Sequence, residues 1–269
     1  MKKVYIGVGH GGSDPGAVKY LVEKEINLIV SKHCRDYLKL AGVDTMMSRE
    51  VDENTSLTEK IKEANDWGAD LALDIHNNAG GGDGAEVFHS INYGEGKELA
   101  ENILKEIKAI GQNSRGAKVK KNSRGTDYFG FIRSTSMPAV IVECVFVDKK
   151  ADAEQIDEAH EQKAFGIAIA KGVLKTLGIA DNVNVPTENN KPVETKEPIS
   201  ASNEGYLVKV TTDALRIRSD AGTNYPQVGL ITDKGTYTIV EEKSGKGANK
   251  WGKLKSGAGW ISLDWTKKV

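Results

Sequence analysis

The first 180 residues alternate between short apolar runs and longer stretches whose apolar residues recur every three or four positions. Val4–Val8 reads as a strand. Glu23–Leu40 places Ile26, Ile29, Val30, Cys34, Tyr37 and Leu38 along one helical face. Val43–Met47 predicts a second strand, and Ser56-Leu57-Thr58-Glu59 has the form of a capping box that opens a helix running to about Trp67. Strands are expected at Asp70–Ile75 and Glu86–Ser90, and a helix at Lys97–Ile110. A closing helix is expected at Glu161–Leu177, ending at Gly178. Ala139–Val147 is almost continuously β-branched, the pattern of a central strand buried on both faces. This order of elements implies an α/β domain over 1–180: a mainly parallel sheet with helices on both faces.

The pattern breaks at 181–204. That stretch holds three of the six prolines, many Asn, Thr, Ser and Glu residues, and no aromatic side chain. It cannot bury enough apolar surface to offset its ordering entropy, and it is expected to be a flexible linker. From 205 to 269 short alternating runs (Leu207–Val210, Leu215–Arg218, Thr236–Val240, Trp251–Leu254, Gly259–Ser262) are separated by Gly, Asn and Asp turns. They predict a small all-β barrel or sandwich.

Totals change this picture in two places. The 269-residue chain has a net charge of −1, but the charge is segregated. Residues 205–269 carry eleven Lys and Arg against six Asp and Glu, whereas 1–180 carry twenty-four against twenty-seven. An anionic partner is therefore expected for the C-terminal piece alone. The only cysteines, Cys34 and Cys144, lie in helix-like and strand-like contexts, so a disulfide framework is not expected. No apolar stretch approaches the ~18 residues of a membrane span, and the start Met-Lys-Lys-Val-Tyr-Ile-Gly lacks an apolar signal region. Synthesis in the cytoplasm without a signal peptide is the expectation; neither membrane insertion nor a nucleic-acid partner is.

Candidate chemistry begins at "GVGHGG", residues 7–12. Gly7, Gly9 and Gly12 match the G-x-G-x-x-G spacing of a dinucleotide turn. Gly12, however, is followed by Ser13-Asp14-Pro15-Gly16, a turn, where the fingerprint needs a helix at once. The loop is better explained by the histidine it carries. In open α/β sheets ligands bind beyond the carboxyl ends of the strands. His10 lies just past the first strand, Glu23 opens the helix returning from that loop, and His76 closes the third strand. Glu143 lies in the late central strand, where an unpaired carboxylate would be costly. Two imidazoles and a carboxylate form a catalytic zinc set, and a separate carboxylate can take a proton from water. Glu25 competes with Glu23 for the ligand role, while His33, His89 and His160 read as incidental. Strand alternation puts Glu143 and Cys144 on opposite faces, which argues against a cysteine nucleophile. By the same rule Asp74 shares a face with His76 and could orient its imidazole.

"GHGGSDPGAV", "EKEINL", "IHNNA" and "PAVIVECVFV", in that order, resemble the zinc-dependent N-acetylmuramoyl-L-alanine amidases of the amidase-3 class, over about residues 1–178. The resemblance implies His10, Glu23 and His76 as ligands of one catalytic Zn2+ and Glu143 as the catalytic carboxylate; the first position of "EKE" favours Glu23 over Glu25. Two departures are visible. "VGHGG" replaces the usual Asp-Pro-Gly-His opening, and Asp74 stands where a serine is commoner. Residues 205–269 are similar to bacterial SH3 domains, through "ALRIRSDAGTNYPQVGLITDKGTYTIVEE" and "WGKLKSGAGWISLDW". That likeness implies cell-wall binding, with Tyr206, Tyr225, Tyr237, Trp251, Trp260 and Trp265 as candidate contacts.

Together these resemblances imply a peptidoglycan hydrolase that cleaves the amide between N-acetylmuramic acid and L-alanine. Both domains would touch the wall, and anionic wall polymers would suit the basic C-terminal one. A phage endolysin that reaches a Gram-positive wall after release from the cytoplasm is the expected role. A host autolysin or spore-lysis amidase, another zinc peptidase, and a non-catalytic wall-binding protein are the alternatives.

Overall fold

The computed structural model describes residues 1–183, 205–212, 215–225, 227–231 and 234–269. Of the linker expected at 181–204, residues 184–204 lie outside the described residues. The chain divides into two compact units, Met1–Asp157 with Glu161–Pro186, and Glu158–His160 with Thr187–Val269. Among the described residues, no helix is long and apolar enough to cross a membrane.

The first unit runs β1 (Lys3–Val8), α1 (Glu23–Leu40), β2 (Asp44–Met47), α2 (Leu57–Trp67), β3 (Leu71–Asn78), β4 (Ala85–His89) and α3 (Gly94–Ala109). It continues with β5 (Ser114–Lys118), α4 (Gly130–Ser134), β6 (Ala139–Phe146), α5 (Lys150–Ala153) and α6 (Ala159–Thr176). The sheet order is β2-β1-β3-β6-β4-β5. The four strands from β2 to β6 are parallel, β4 runs antiparallel to β6, and β5 lies parallel to β4. This is the mainly parallel α/β sheet that the hydrophobic pattern implies.

Strand alternation gives the sheet two unlike faces. One presents Val4, Ile6, Leu71, Leu73, Ile75, Val140, Val142 and Cys144 to an apolar cluster shared with α1, α3 and α6. Both cysteines are buried and free. Gly172 of α6 lets that helix close on α3, since a Cβ there would lie 2.5 Å from Ile103 Cα. The other face is covered by less: Tyr5, Ala72 and Ala139 pack with Ala64 of α2 and Phe131 of α4.

Several boundaries differ from the sequence expectations. Strand β3 extends through His76 to Asn78, because pairing with β6 continues past Ile75. Strand β5, "SRGAK", has almost no apolar residue because it is a sheet edge with exposed side chains. The helices α4 and α5 span five and four residues, too short for a 3.6-residue period to show.

The second unit is an antiparallel sheet of β7 (Tyr206–Val210), β8 (Leu215–Arg218), β9 (Gln227–Ile231), β10 (Thr236–Gly245), β11 (Ala248–Leu254), β12 (Trp260–Ser262) and β13 (Thr266–Lys268). Its order is β13-β7-β10-β11-β12-β8-β9, so the unanticipated β9 and β13 are its two edges. Val208, Val210, Leu215, Ile217, Ile239, Leu254 and Ile261 form its core. The six candidate aromatics divide here. Trp251 and Trp260 are buried with Ala221, and Tyr206 and Tyr237 pack against the core, whereas Tyr225 and Trp265 are 37% and 57% exposed.

Candidate metal centre

Beyond Val8 the chain turns sharply. His10 has a φ of 56°, a region that side-chain-bearing residues seldom adopt. Glycines make the turn fit: a Cβ on Gly9 would lie 2.5 Å from the His76 ring, and one on Gly16 would lie 2.5 Å from Glu23 Oε2. No helix opens after Gly12, so the loop lacks the helix N-terminus that a pyrophosphate needs.

Arg49, at the end of β2 and 2% exposed, fixes this turn from behind. Its guanidinium donates to the carbonyls of His10 (2.8 Å), Gly9 (3.3 Å), Val51 (3.1 Å) and Lys24 (2.7 Å). The His10 loop is thereby tied to the first turn of α1, where Glu23 sits.

Glu23 is buried, whereas Glu25 is exposed. Glu23 Oε1 lies 3.2 Å from His10 Nε2 and 3.0 Å from His76 Nδ1, and also accepts from the Asn77 N–H at 3.1 Å. Oε2 accepts from the Ala17 N–H at 2.8 Å. Each imidazole has a carboxylate at its other nitrogen: His10 Nδ1 is 2.7 Å from Asp14 Oδ2, and His76 Nε2 is 3.4 Å from Asp74 Oδ2. Asp74 is in turn gripped by Lys60 of α2 at 3.0 Å. The candidate-ligand atoms of His10, Glu23 and His76 all lie within 4.8 Å of one another. Among the described residues this is the cluster of its kind; His33, His89 and His160 stand outside it.

The electrostatics follow from this crowding. Hydrogen bonding to Glu23 raises the pKa of His10. Burial works to lower that of His76, but Asp74, Glu23 and Glu143 outweigh it and hold it up at about 10. Burial would raise Glu23, yet its bonds to His10 and His76 hold it well below the usual carboxylate range. Glu143 pairs in register with His76 on the adjacent strand, so both side chains share a face. Burial pushes Glu143 up to about 7, against the pull of His76 and with the help of Glu23, Glu86 and Asp74. Its Oε2 is buried without a hydrogen-bond partner.

Asn27, Arg49, Lys60 and Asn77 support the centre but were not singled out in the sequence, although Asn27 and Asn77 lie inside "EKEINL" and "IHNNA". Asn27 Nδ2 donates to the Gly9 carbonyl at 3.0 Å, and Asn77 Nδ2 donates to Asn27 Oδ1 at 2.7 Å. Only the fold brings these partners together.

The donor set fits a zinc-type cation. Ligands held ~2.0–2.1 Å from a tetrahedral ion stand about 3.3 Å from one another, close to the spacing around Glu23 Oε1. Two imidazoles with one carboxylate leave a coordination position free, and the unpartnered Glu143 oxygen lies on the same face.

Comparison with known proteins agrees with this geometry. Residues 4–175 match the family described as N-acetylmuramoyl-L-alanine amidase. The N-acetylmuramoyl-L-alanine amidase CwlM of Bacillus licheniformis is 36% identical over 189 residues, covering 68% of this chain and 70% of that protein. The endolysin of Bacillus phage SPP1 is 31% identical over 194 residues, covering 68% and 67%. Among solved structures, the catalytic domain of CwlV, an N-acetylmuramoyl-L-alanine amidase from Bacillus (Paenibacillus) polymyxa var. colistinus, superposes with a TM-score of 0.61 at 26% identity. It covers 67% of this chain and 100% of that one.

Proposed function

This chain belongs to the N-acetylmuramoyl-L-alanine amidase family, and on that premise we propose that it cleaves the muramoyl–L-alanine amide of peptidoglycan at a zinc site made by His10, Glu23 and His76. The observation that carries this reading is the meeting of these three donors, from the first loop, α1 and β3, beside an unpartnered Glu143 carboxylate. Zinc held there supplies Lewis acidity that polarises the scissile carbonyl and acidifies a water molecule. Glu143 accepts the proton of the attacking water and delivers it to the leaving amine nitrogen. Burial holds the Glu143 carboxyl above the ordinary carboxylate range, which helps it keep the proton it takes. Asp14 and Asp74 orient the two imidazoles, and Arg49 holds the His10 turn. Mass spectrometry of digested peptidoglycan tests the reaction. New L-alanine amino termini that disappear with a chelator and return with zinc are expected; new peptide ends elsewhere in the stem would overturn it.

The second unit is, in this proposal, an SH3-like wall-binding domain. Its net charge of eleven cations against six carboxylates supports attraction to anionic wall material. A cavity of about 240 Å³ lined by Arg216, Arg218, Trp251 and Trp265 gives it a concave surface. The likeness to the phage endolysin supports a lytic role in which the protein acts on a Gram-positive wall after release from the cytoplasm. Expressed in a Gram-positive host, it should stay cytosolic and lyse the culture only once the membrane is permeabilised. Unaided export into the medium would contradict that role.

A further inference from the structure

The sheet face that carries His76 and Glu143 is covered by α2 and α4 at Tyr5, Ala72 and Ala139, and Lys60 of α2 reaches on to Asp74. On this face His76, Glu143 and Glu86 form one row across β3, β6 and β4; Asp74, Ile141, Phe88 and Lys118 form the next, reaching β5. Directly paired residues share a face, so Phe88 lies on Glu143's side, one strand over and one row back. The half-buried Phe88 ring lies 4.8 Å from that of Phe129, which meets Tyr128 edge-on at 5.1 Å. Tyr128 is 50% exposed, and Lys120 Nζ stands 4.0 Å over its ring. A track of aromatic surface thus begins one strand over and one row back from the candidate catalytic carboxylate and ends in a cation.

Charge sharpens the picture. Residues 118–129 hold four cations, Lys118, Lys120, Lys121 and Arg124, against one carboxylate, within a 1–180 stretch whose acidic residues outnumber its basic ones. Asp127 does not offset them, because it is buried and accepts from Ser90 Oγ and the Ile91 N–H, both at 2.8 Å. Lys118 shares Glu86 with Arg115, whereas Lys120 has no acidic partner among the described residues. The arm is preformed: the Tyr128 N–H donates to the Lys120 carbonyl at 2.8 Å, and the Asn122 N–H to the Thr126 carbonyl at 2.9 Å.

We infer that Phe88, Phe129, Tyr128 and Lys120 form the track for the peptide side of the substrate, a short peptide whose free carboxylate meets Lys120. The inference rests on the proposed role of Glu143 beside it. The steps of 4.8, 5.1 and 4.0 Å from Phe88 to Lys120 cover at most the length of about four extended residues at ~3.3 Å each, the scale of a short peptide. Sugar rings would also stack on the aromatics, but they give Lys120 no opposite charge to meet.

The test uses the full-length protein and soluble muramoyl tetrapeptides ending in a carboxylate or in a carboxamide. Lys120→Glu is compared with Lys108→Glu, an equal charge change on α3 against the opposite sheet face. Lys120→Glu should raise KM for the carboxylate substrate about fivefold or more, leave kcat within about twofold, and leave the carboxamide unaffected. Tyr128→Ala should raise KM for both. Calorimetric binding of the free carboxylate tetrapeptide, lost in Lys120→Glu and kept in Lys108→Glu, supports the track even if cleavage or zinc binding fails. Equal effects of the two lysine substitutions overturn it. So does a glycan-length dependence that Tyr128→Ala abolishes while peptide binding stays unchanged.

Discussion

Glu23 Oε1 stands between two imidazole nitrogens, and that single carboxylate links proton binding to metal binding. In the zinc-free protein the raised imidazole pKa values favour the fold while the rings are protonated. That contribution is complete below the ordinary value of ~6.5 and is lost as pH climbs through the raised value, about 10 for His76. Zinc requires both rings neutral, so its binding expels protons, and its affinity should rise with pH across the neutral range. Calorimetry in buffers of different ionisation enthalpy should show that release, and binding independent of buffer would contradict it. Glu143→Gln should cut turnover by about 10²–10⁴-fold, with zinc content unchanged by metal analysis. Arg49→Met should cost about 3 kcal/mol in denaturant unfolding, because it strips four backbone carbonyls of their donor. The four candidate positions stood out because each is odd in its local setting: a histidine among glycines, a carboxylate at a helix start, a histidine on a strand, a carboxylate in a β-branched run. Arg49, Asn27 and Lys60 did not, since their partners lie far away in sequence.

Among the elements, α2 shows how a local signal reaches the site. Ser56 caps it through a complete box with Glu59, and its second turn delivers Lys60 to Asp74 behind His76. Ser56→Ala should lower stability by about 1 kcal/mol, read as a shift in the denaturant midpoint, and leave zinc affinity within twofold. A large loss of zinc affinity would mean that the cap positions Asp74 and does more than hold the helix. The helix α1 was read to the residue, Glu23–Leu40, because one apolar stripe runs its whole length. The strands β5 and β13 escaped because "SRGAK" and "TKK" lack the apolar face that marks a strand in sequence. Strand β6 declared itself by being buried on both sides, with Glu143 as its one exception.

Over the whole molecule, charge and burial are both divided. The basic C-terminal unit predicts that retention on purified Gram-positive walls falls steeply between 50 mM and 500 mM salt, as exposed charges are screened over about 10 Å at 0.1 M. Retention unaffected by salt in a co-sedimentation assay would point to apolar or hydrogen-bonded recognition instead. In the larger unit, the sheet keeps its densely packed apolar cluster on one side and places His76, Glu143 and the aromatic track on the other. Tyr128 and Lys120 are exposed on that second side, so changes there disturb little of the buried packing. An engineered change of peptide preference would therefore start from those two positions, with the apolar cluster of α1, α3 and α6 left untouched on the far face.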